Sequence, residues 1–125
     1  MVKSSTMSLA RRQAQAEVRM QTHTYKTVGK LEIKADVYRE DDARKRPVVV
    51  WIHGGALIMG NRGGIDRRVK DATLAAGHVL VSIDYRLAPE TQLPDVVADV
   101  EDALKWVHEK GGKLFSADTD RIAVA

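Results

Sequence analysis

The sequence predicts an α/β fold with a mostly parallel sheet, entered through an antiparallel amino-terminal hairpin. Three observations carry that expectation. Val48-Val49-Val50-Trp51-Ile52 and Val79-Leu80-Val81-Ser82-Ile83 are short β-branched runs of the kind buried inside a sheet. Apolar residues at helical spacing follow each run, so strands and helices alternate from Pro47 onward. Ahead of them, two alternating segments suit a hairpin.

The first of these segments, Val18–Val28, alternates loosely and carries Thr22, Thr24, Tyr25 and Thr27, residues that fit a pleated surface. In the second, Leu31, Ile33, Ala35 and Val37 alternate with Glu32, Lys34 and Asp36, the pattern of a half-buried strand. The polar residues 39–46 read as a turn. Pro47 then suits a strand start, because proline cannot donate within a ladder.

The strand at Val48 exits into a glycine-rich stretch, residues 54–64. Ile65, Val69, Ala72 and Ala76 follow at helical spacing, and Gly77 closes that helix. After the strand at Val79, a loop over residues 84–93 leads to Pro94, which belongs in a first helical turn because its missing amide would have had no partner there. Val96, Val97, Val100, Ala103, Leu104 and Val107 form one face, and Gly111-Gly112 is expected to end the helix. A polar turn then precedes a buried-type strand beginning at Ile122. Residues 1–16 read as an amino-terminal extension, helical or poorly ordered, and residues 17–125 as a partial α/β domain.

Composition excludes several classes. The formal charge is +3, but 20 basic residues are dispersed among 17 acidic ones and aromatics make up 5%, which argues against nucleic-acid binding. The basic residues 62–70 read as the solvated face of a helix. With no cysteine there is no disulfide framework or thiol nucleophile. No apolar run reaches the length of a membrane span, and residues 1–20 lack the apolar stretch of a signal peptide. These features point to a cytoplasmic protein. The glycines of residues 54–64 match neither the phosphate-loop nor the dinucleotide pattern, and no cofactor is expected.

The segment that carries chemistry is His53-Gly54-Gly55-Ala56. It follows a buried strand and so lies at the carboxyl end of the sheet, where open α/β folds bind ligands. Glycine permits a sharp turn and a close approach of backbone amides to a carbonyl. Two such amides, aimed at developing negative charge, would form an oxyanion hole. A tight strand-to-helix turn would use the same residues, so the tripeptide needs support from elsewhere.

That support comes from Ser82-Ile83-Asp84-Tyr85-Arg86-Leu87-Ala88-Pro89-Glu90. Together with Trp51-Ile52-His53-Gly54-Gly55-Ala56 it resembles the α/β-hydrolases related to hormone-sensitive lipase and the bacterial carboxylesterases. Pro94, Asp99, Ala103, Leu104 and Trp106 look like the helix that follows in this family. Asp120-Arg121-Ile122-Ala123-Val124 is similar to the strand that feeds its nucleophile elbow, so the resemblance spans residues 28–125.

The resemblance implies the amino-terminal half of an α/β-hydrolase fold and a carboxylic ester hydrolase with a serine acyl-enzyme mechanism, acting on a small-molecule ester. Gly55 and Ala56 become the amide donors, Gly54 shapes the loop, and His53 orients it. Ala56 stands where many relatives have glycine, which keeps the donor but narrows the backbone's freedom. In this family the catalytic histidine comes after the nucleophile, so His53 is not expected to be the base. Asp84, Tyr85, Arg86 and Glu90 are expected to form a structural polar network, and Asp99 to be a packing or pairing residue. His23, His78 and His108 read as surface or strand-end residues.

No serine in the chain has flanking glycines at elbow spacing; Ser4, Ser5, Ser8, Ser82 and Ser116 all fail. The chain is therefore expected to stop short of the triad and to be inactive alone, with activity belonging to a longer parent. A second reading makes it a noncatalytic α/β domain that binds a ligand or another protein.

Overall fold

In the computed structural model, which describes residues 18–125, a five-stranded sheet carries one helix on each face. The expected extension at residues 1–16 lies outside the described residues. The elements are β1 (Val18–Val28), β2 (Leu31–Glu40), β3 (Arg46–Ile52), α1 (Arg67–Ala75), β4 (Val79–Ile83), α2 (Leu93–Phe115) and β5 (Ala117–Val124). Their order across the sheet is β1-β2-β4-β3-β5. β1 pairs antiparallel with β2, and β2 antiparallel with β4. β4 with β3 and β3 with β5 are parallel.

Every residue of β4 is buried. Alternation sends its side chains to opposite faces. Val79, Val81 and Ile83 join the main core with Ile33, Ala35 and Val37 of β2, Val48 and Val50 of β3, and Ala103, Val107 and Phe115 of α2. Leu80 and Ser82 face the other way, where α1 lies against β4 and β2. β3 is interior as expected, although Val49 and Trp51 are only half-buried on the α1 side. The two faces of β2 also differ from a simple inside-outside strand. Asp36, on its polar side, is buried because Arg62 and Thr22 cover it.

α1 starts where Asp66 accepts hydrogen bonds from the amides of Arg68 and Val69. Arg67 and Arg68 are solvated as the charge pattern suggests, but Arg62 lies ahead of the helix and pairs with Asp36 and Asp84.

α2 runs past both of its glycines, to Phe115, three residues beyond Gly112. Val96, Asp99, Ala103, Val107, Gly111 and Phe115 form one buried stripe, so Gly111 lies within the packed face. A methyl group there would come within 3.0 Å of the Phe115 ring and 3.2 Å of Ala117 Cβ. Gly111 therefore permits a close approach and does not end the helix. The end falls at Ser116, in the left-handed conformation (φ 52°), with its amide bonded to the Gly111 carbonyl.

β5 likewise begins earlier than the apolar pattern indicates. Arg46 pairs with Ala117 and Val48 with Ile122, so the polar residues between are a bulge inside the strand. Asp118 and Arg121 pair with each other there at 2.7 Å. No helix among the described residues is long and apolar enough to cross a membrane.

Candidate functional site

Parallel pairing decides what meets at the carboxyl edge of the sheet. Ile52 and Ile83 are register partners at the ends of β3 and β4, so the loops after them leave the same edge side by side. This brings residues 53–57 against residues 84–88, although some thirty positions separate them in sequence.

The two loops grip each other at two points. The Tyr85 hydroxyl donates to the His53 carbonyl at 2.9 Å, in a buried hydrogen bond. The Ala88 amide donates to the Leu57 carbonyl at 2.8 Å. Between these points the His53 ring stacks on the Tyr85 ring, with centroids 4.2 Å apart and planes 4° from parallel. His53 is buried, and its Nδ1 lies 2.9 Å from the Gly54 carbonyl. A carbonyl only accepts, so this contact selects the tautomer that carries the proton on Nδ1.

Between the anchors the backbone runs through left-handed space, with φ of 121° at Gly55, 56° at Ala56 and 66° at Leu57. Two non-glycine residues there cost about 1–3 kcal/mol each, a strain that persists only when neighbours impose it. Gly55 has no alternative occupant. A Cβ at this position would sit 2.1 Å from the Met59 carbonyl oxygen, which is held close because the Ile58 and Met59 amides both donate to the Gly55 carbonyl. The amides of Gly54, Gly55 and Ala56 find no acceptor among the described residues. Gly54 and Ala56 are exposed and Gly55 is half-buried, so these donors remain available to an oxygen from outside.

Asp84, Tyr85, Arg86 and Glu90 do not close on one another. Asp84 accepts from the Arg62 backbone amide at 2.7 Å and pairs with the Arg62 guanidinium, which also reaches Asp36 at 2.9 Å. Ser82 donates to the Arg62 carbonyl at 2.6 Å, so Arg62 ties the far end of the glycine-rich stretch to the sheet. Arg86 turns instead to α2. Its amide and Nε donate to Asp99 Oδ2 at 2.9 and 2.8 Å, and its Nη2 donates to Oδ1 at 2.8 Å. Lys26 of β1 adds a bond to Oδ1 at 2.8 Å and pairs with Asp102 at 2.6 Å. Glu90 is exposed. The two charged residues therefore take separate partners, Arg62 for Asp84 and Asp99 for Arg86.

Asp99 is fully buried yet ionised. Burial pushes its carboxyl upward, but hydrogen bonds from Arg86 and Lys26 outweigh this and hold it at about 2. Tyr25, whose hydroxyl donates to the Asp84 carbonyl, is raised by burial and then by Asp99, Asp84 and Asp102. Tyr85 is raised by burial.

Sequence reasoning missed Arg62, Asp36 and Lys26 as partners in this region. One signal was available: Asp99 falls in line with Val96, Ala103 and Val107 on an apolar stripe, and a carboxylate there needs cationic partners. His23 also differs from expectation. It is half-buried within β1, with Trp106 and Phe115 5.7 and 6.1 Å away between ring centroids. His78 is half-buried just ahead of β4, and His108 is exposed on α2. A cavity lined by Arg19, Arg39, Asp42 and Phe115 lies at the opposite end of the sheet, away from residues 53–57.

The model of the alpha/beta hydrolase fold family matches residues 49–125, more than half of the chain. The chain belongs to that family. It is similar to esterase LipI of Mycobacterium tuberculosis, 40% identical over 84 residues that cover 67% of this chain and 26% of LipI. Carboxylesterase NlhH of the same organism is 37% identical over 110 residues, 87% of this chain and 34% of NlhH. The solved esterase of Pyrobaculum calidifontis superposes with a TM-score of 0.74 at 37% identity, covering 95% of this chain and 39% of that one. This α/β-hydrolase chain thus spans less than two fifths of the length of each of these relatives, and those relatives are esterases of the type its motifs resemble.

Proposed function

We propose that residues 53–56 are the oxyanion hole of a serine carboxylic ester hydrolase acting on a small-molecule ester. Gly55 and Ala56 supply the donors, Gly54 shapes the loop and His53 orients it. The observation that carries this reading is the run of amides at Gly54, Gly55 and Ala56 that have no acceptor among the described residues while anchors on both sides hold a strained backbone.

Attack of a serine oxygen on an ester carbonyl moves negative charge onto the carbonyl oxygen. Donors already in place stabilise that charge without reorganising, and removing one typically costs roughly 3–4 kcal/mol of barrier lowering. Collapse expels the alcohol and leaves an acyl-serine, which water then hydrolyses. The 125 residues hold no Gly-x-Ser-x-Gly. On this reading the nucleophile, acid and base come from residues beyond them, and the chain is inactive by itself.

The test is to express the 125-residue chain beside its reading frame continued past Ala125. We expect fluorophosphonate labelling and turnover of a short-chain nitrophenyl ester only from the continued frame, with the label on a Gly-x-Ser-x-Gly serine. A continued frame without that motif, or serine-dependent turnover by the 125 residues alone, overturns the proposal.

A further inference from the structure

We infer that Asp99 is a positioning residue for the amides of residues 54–56, acting through Arg86 and the segment 85–88. This inference rests on the oxyanion-hole reading and adds to it a residue on a different element of the fold.

The two anchors that bracket the free amides, Tyr85 on His53 and Ala88 on Leu57, belong to one short segment. That segment cannot hold a strained neighbour unless it is itself held. Asp99 holds it, accepting three N–H bonds from Arg86, one of them from the backbone amide. The backbone bond matters because it locates the main chain directly beside Tyr85. Asp99 in turn sits in the second turn of α2, with its side chain fully enclosed, and Lys26 from β1 braces its second oxygen. A path of contacts therefore runs from the core face of α2 through Asp99, Arg86 and Tyr85 to His53 and the residues that follow it. Arg62 and Tyr25 hold Asp84 on the near side of Tyr85, but no other carboxylate among the described residues bonds to the Arg86 side chain, so loss of Asp99 would free the far side of Tyr85, at Arg86. The chemistry of the carboxylate suits this purpose: two oxygens accept a guanidinium bidentately and fix both its distance and its plane.

A merely structural role for Asp99 would lower stability and leave the surviving folded enzyme unchanged. A positioning role also changes the transition-state interaction, because a donor displaced by a fraction of an ångström still binds substrate and no longer meets the oxyanion. The experiment compares Asp99→Asn, Arg86→Lys and the core control Val107→Ala in the hydrolase expressed from the continued reading frame. It measures kcat and KM on a short acyl ester, the affinity of an alkyl boronic acid that forms a tetrahedral serine adduct, and the Gly55 and Ala56 amide resonances.

We expect Asp99→Asn and Arg86→Lys each to lower kcat about tenfold, part of the ~10²–10³-fold lost with a whole donor, with KM within about twofold. Boronate affinity should fall in parallel. The double variant should be no worse than the weaker single, since both interrupt one path. Val107→Ala should lose stability and keep kcat. Arg86→Lys keeps a cation beside the carboxylate, so it carries the test if Asp99→Asn does not fold. Unchanged kcat and boronate affinity in a folded Asp99→Asn or Arg86→Lys enzyme overturns the positioning role, as does the same kcat loss in Val107→Ala. If boronate leaves the wild-type Gly55 and Ala56 resonances unmoved, the oxyanion-hole reading itself fails and the positioning role fails with it.

Discussion

The His53 and Tyr85 rings lie face to face, 4.2 Å apart and 4° from parallel, while the Tyr85 hydroxyl bonds back to the His53 carbonyl. The same tyrosine thus holds both the side chain and the main chain of the residue that opens the loop. Tyr85→Phe keeps the stack and orphans one buried carbonyl. We expect a loss of about 1–2 kcal/mol in urea unfolding, with larger losses of about 3–5 kcal/mol for Tyr85→Ala, which also empties the stacked position. Equal losses for the two variants would mean that the ring contact contributes nothing.

Gly55→Ala is expected to be the most damaging single change in the loop. Its φ of 121° is poorly accessible to alanine, and the added carbon would meet the Met59 carbonyl at 2.1 Å. Backbone must move to relieve that contact, so in the continued reading frame esterase turnover should fall by about 100-fold or more, the scale of losing an oxyanion donor. Activity within a factor of a few of wild type would show that this loop does not serve the reaction.

Acid should weaken the fold through Asp99. Its folded carboxyl stands at about 2, below the ordinary carboxylate range. A depressed carboxylate contributes its stability above the unfolded value and loses it as pH falls through the folded one. The contribution, about 2 kcal/mol, is therefore complete above pH ~4 and fades toward pH ~2. Urea unfolding of wild type and Asp99→Asn between those pH values should show a difference that shrinks with acidity. A constant difference would show that Asp99 does not titrate in this window.

The two glycines of α2 should respond in opposite directions. At Gly112 an added methyl fits at ordinary van der Waals distance, with its nearest neighbour at 3.6 Å, so Gly112→Ala should stabilise by about 0.5–1 kcal/mol through helix propensity and reduced unfolded-state entropy. At Gly111 the Phe115 ring at 3.0 Å and Ala117 Cβ at 3.2 Å must shift to admit a methyl, and Gly111→Ala should destabilise by about 1 kcal/mol. Thermal melts of the two variants check the sign of each.

β5 lies at the edge of the sheet, bonded to β3, and Val124 on it is 54% exposed. An apolar strand edge recruits other chains. The 125-residue chain should therefore self-associate in sedimentation velocity, and Val124→Lys should reduce it. Identical behaviour of the two chains would place the contact elsewhere.

The sequence by itself determined the elements and the family. The runs at Val48 and Val79 read as buried-type strands, alternation marked β2, Pro94 marked the start of α2, and residues 53–56 with 82–90 pointed to the hydrolase motifs. These are local signals, set by periodicity and by which backbone shapes glycine and proline allow. Gly111 and the polar bulge of β5 misled for the same reason, since whether a glycine ends a helix or admits a neighbour depends on Phe115 packing over it, and the polar residues between Ala117 and Ile122 read as a turn until β3 pairs with both sides. Tertiary structure alone decided who partners whom at the loop. Parallel pairing of β3 and β4 set Tyr85 against His53, sent Asp84 to Arg62, and carried Arg86 to Asp99. Ion pairs and hydrogen bonds form with whatever the chain path brings within about 3 Å, and that path is written in the pairing of strands.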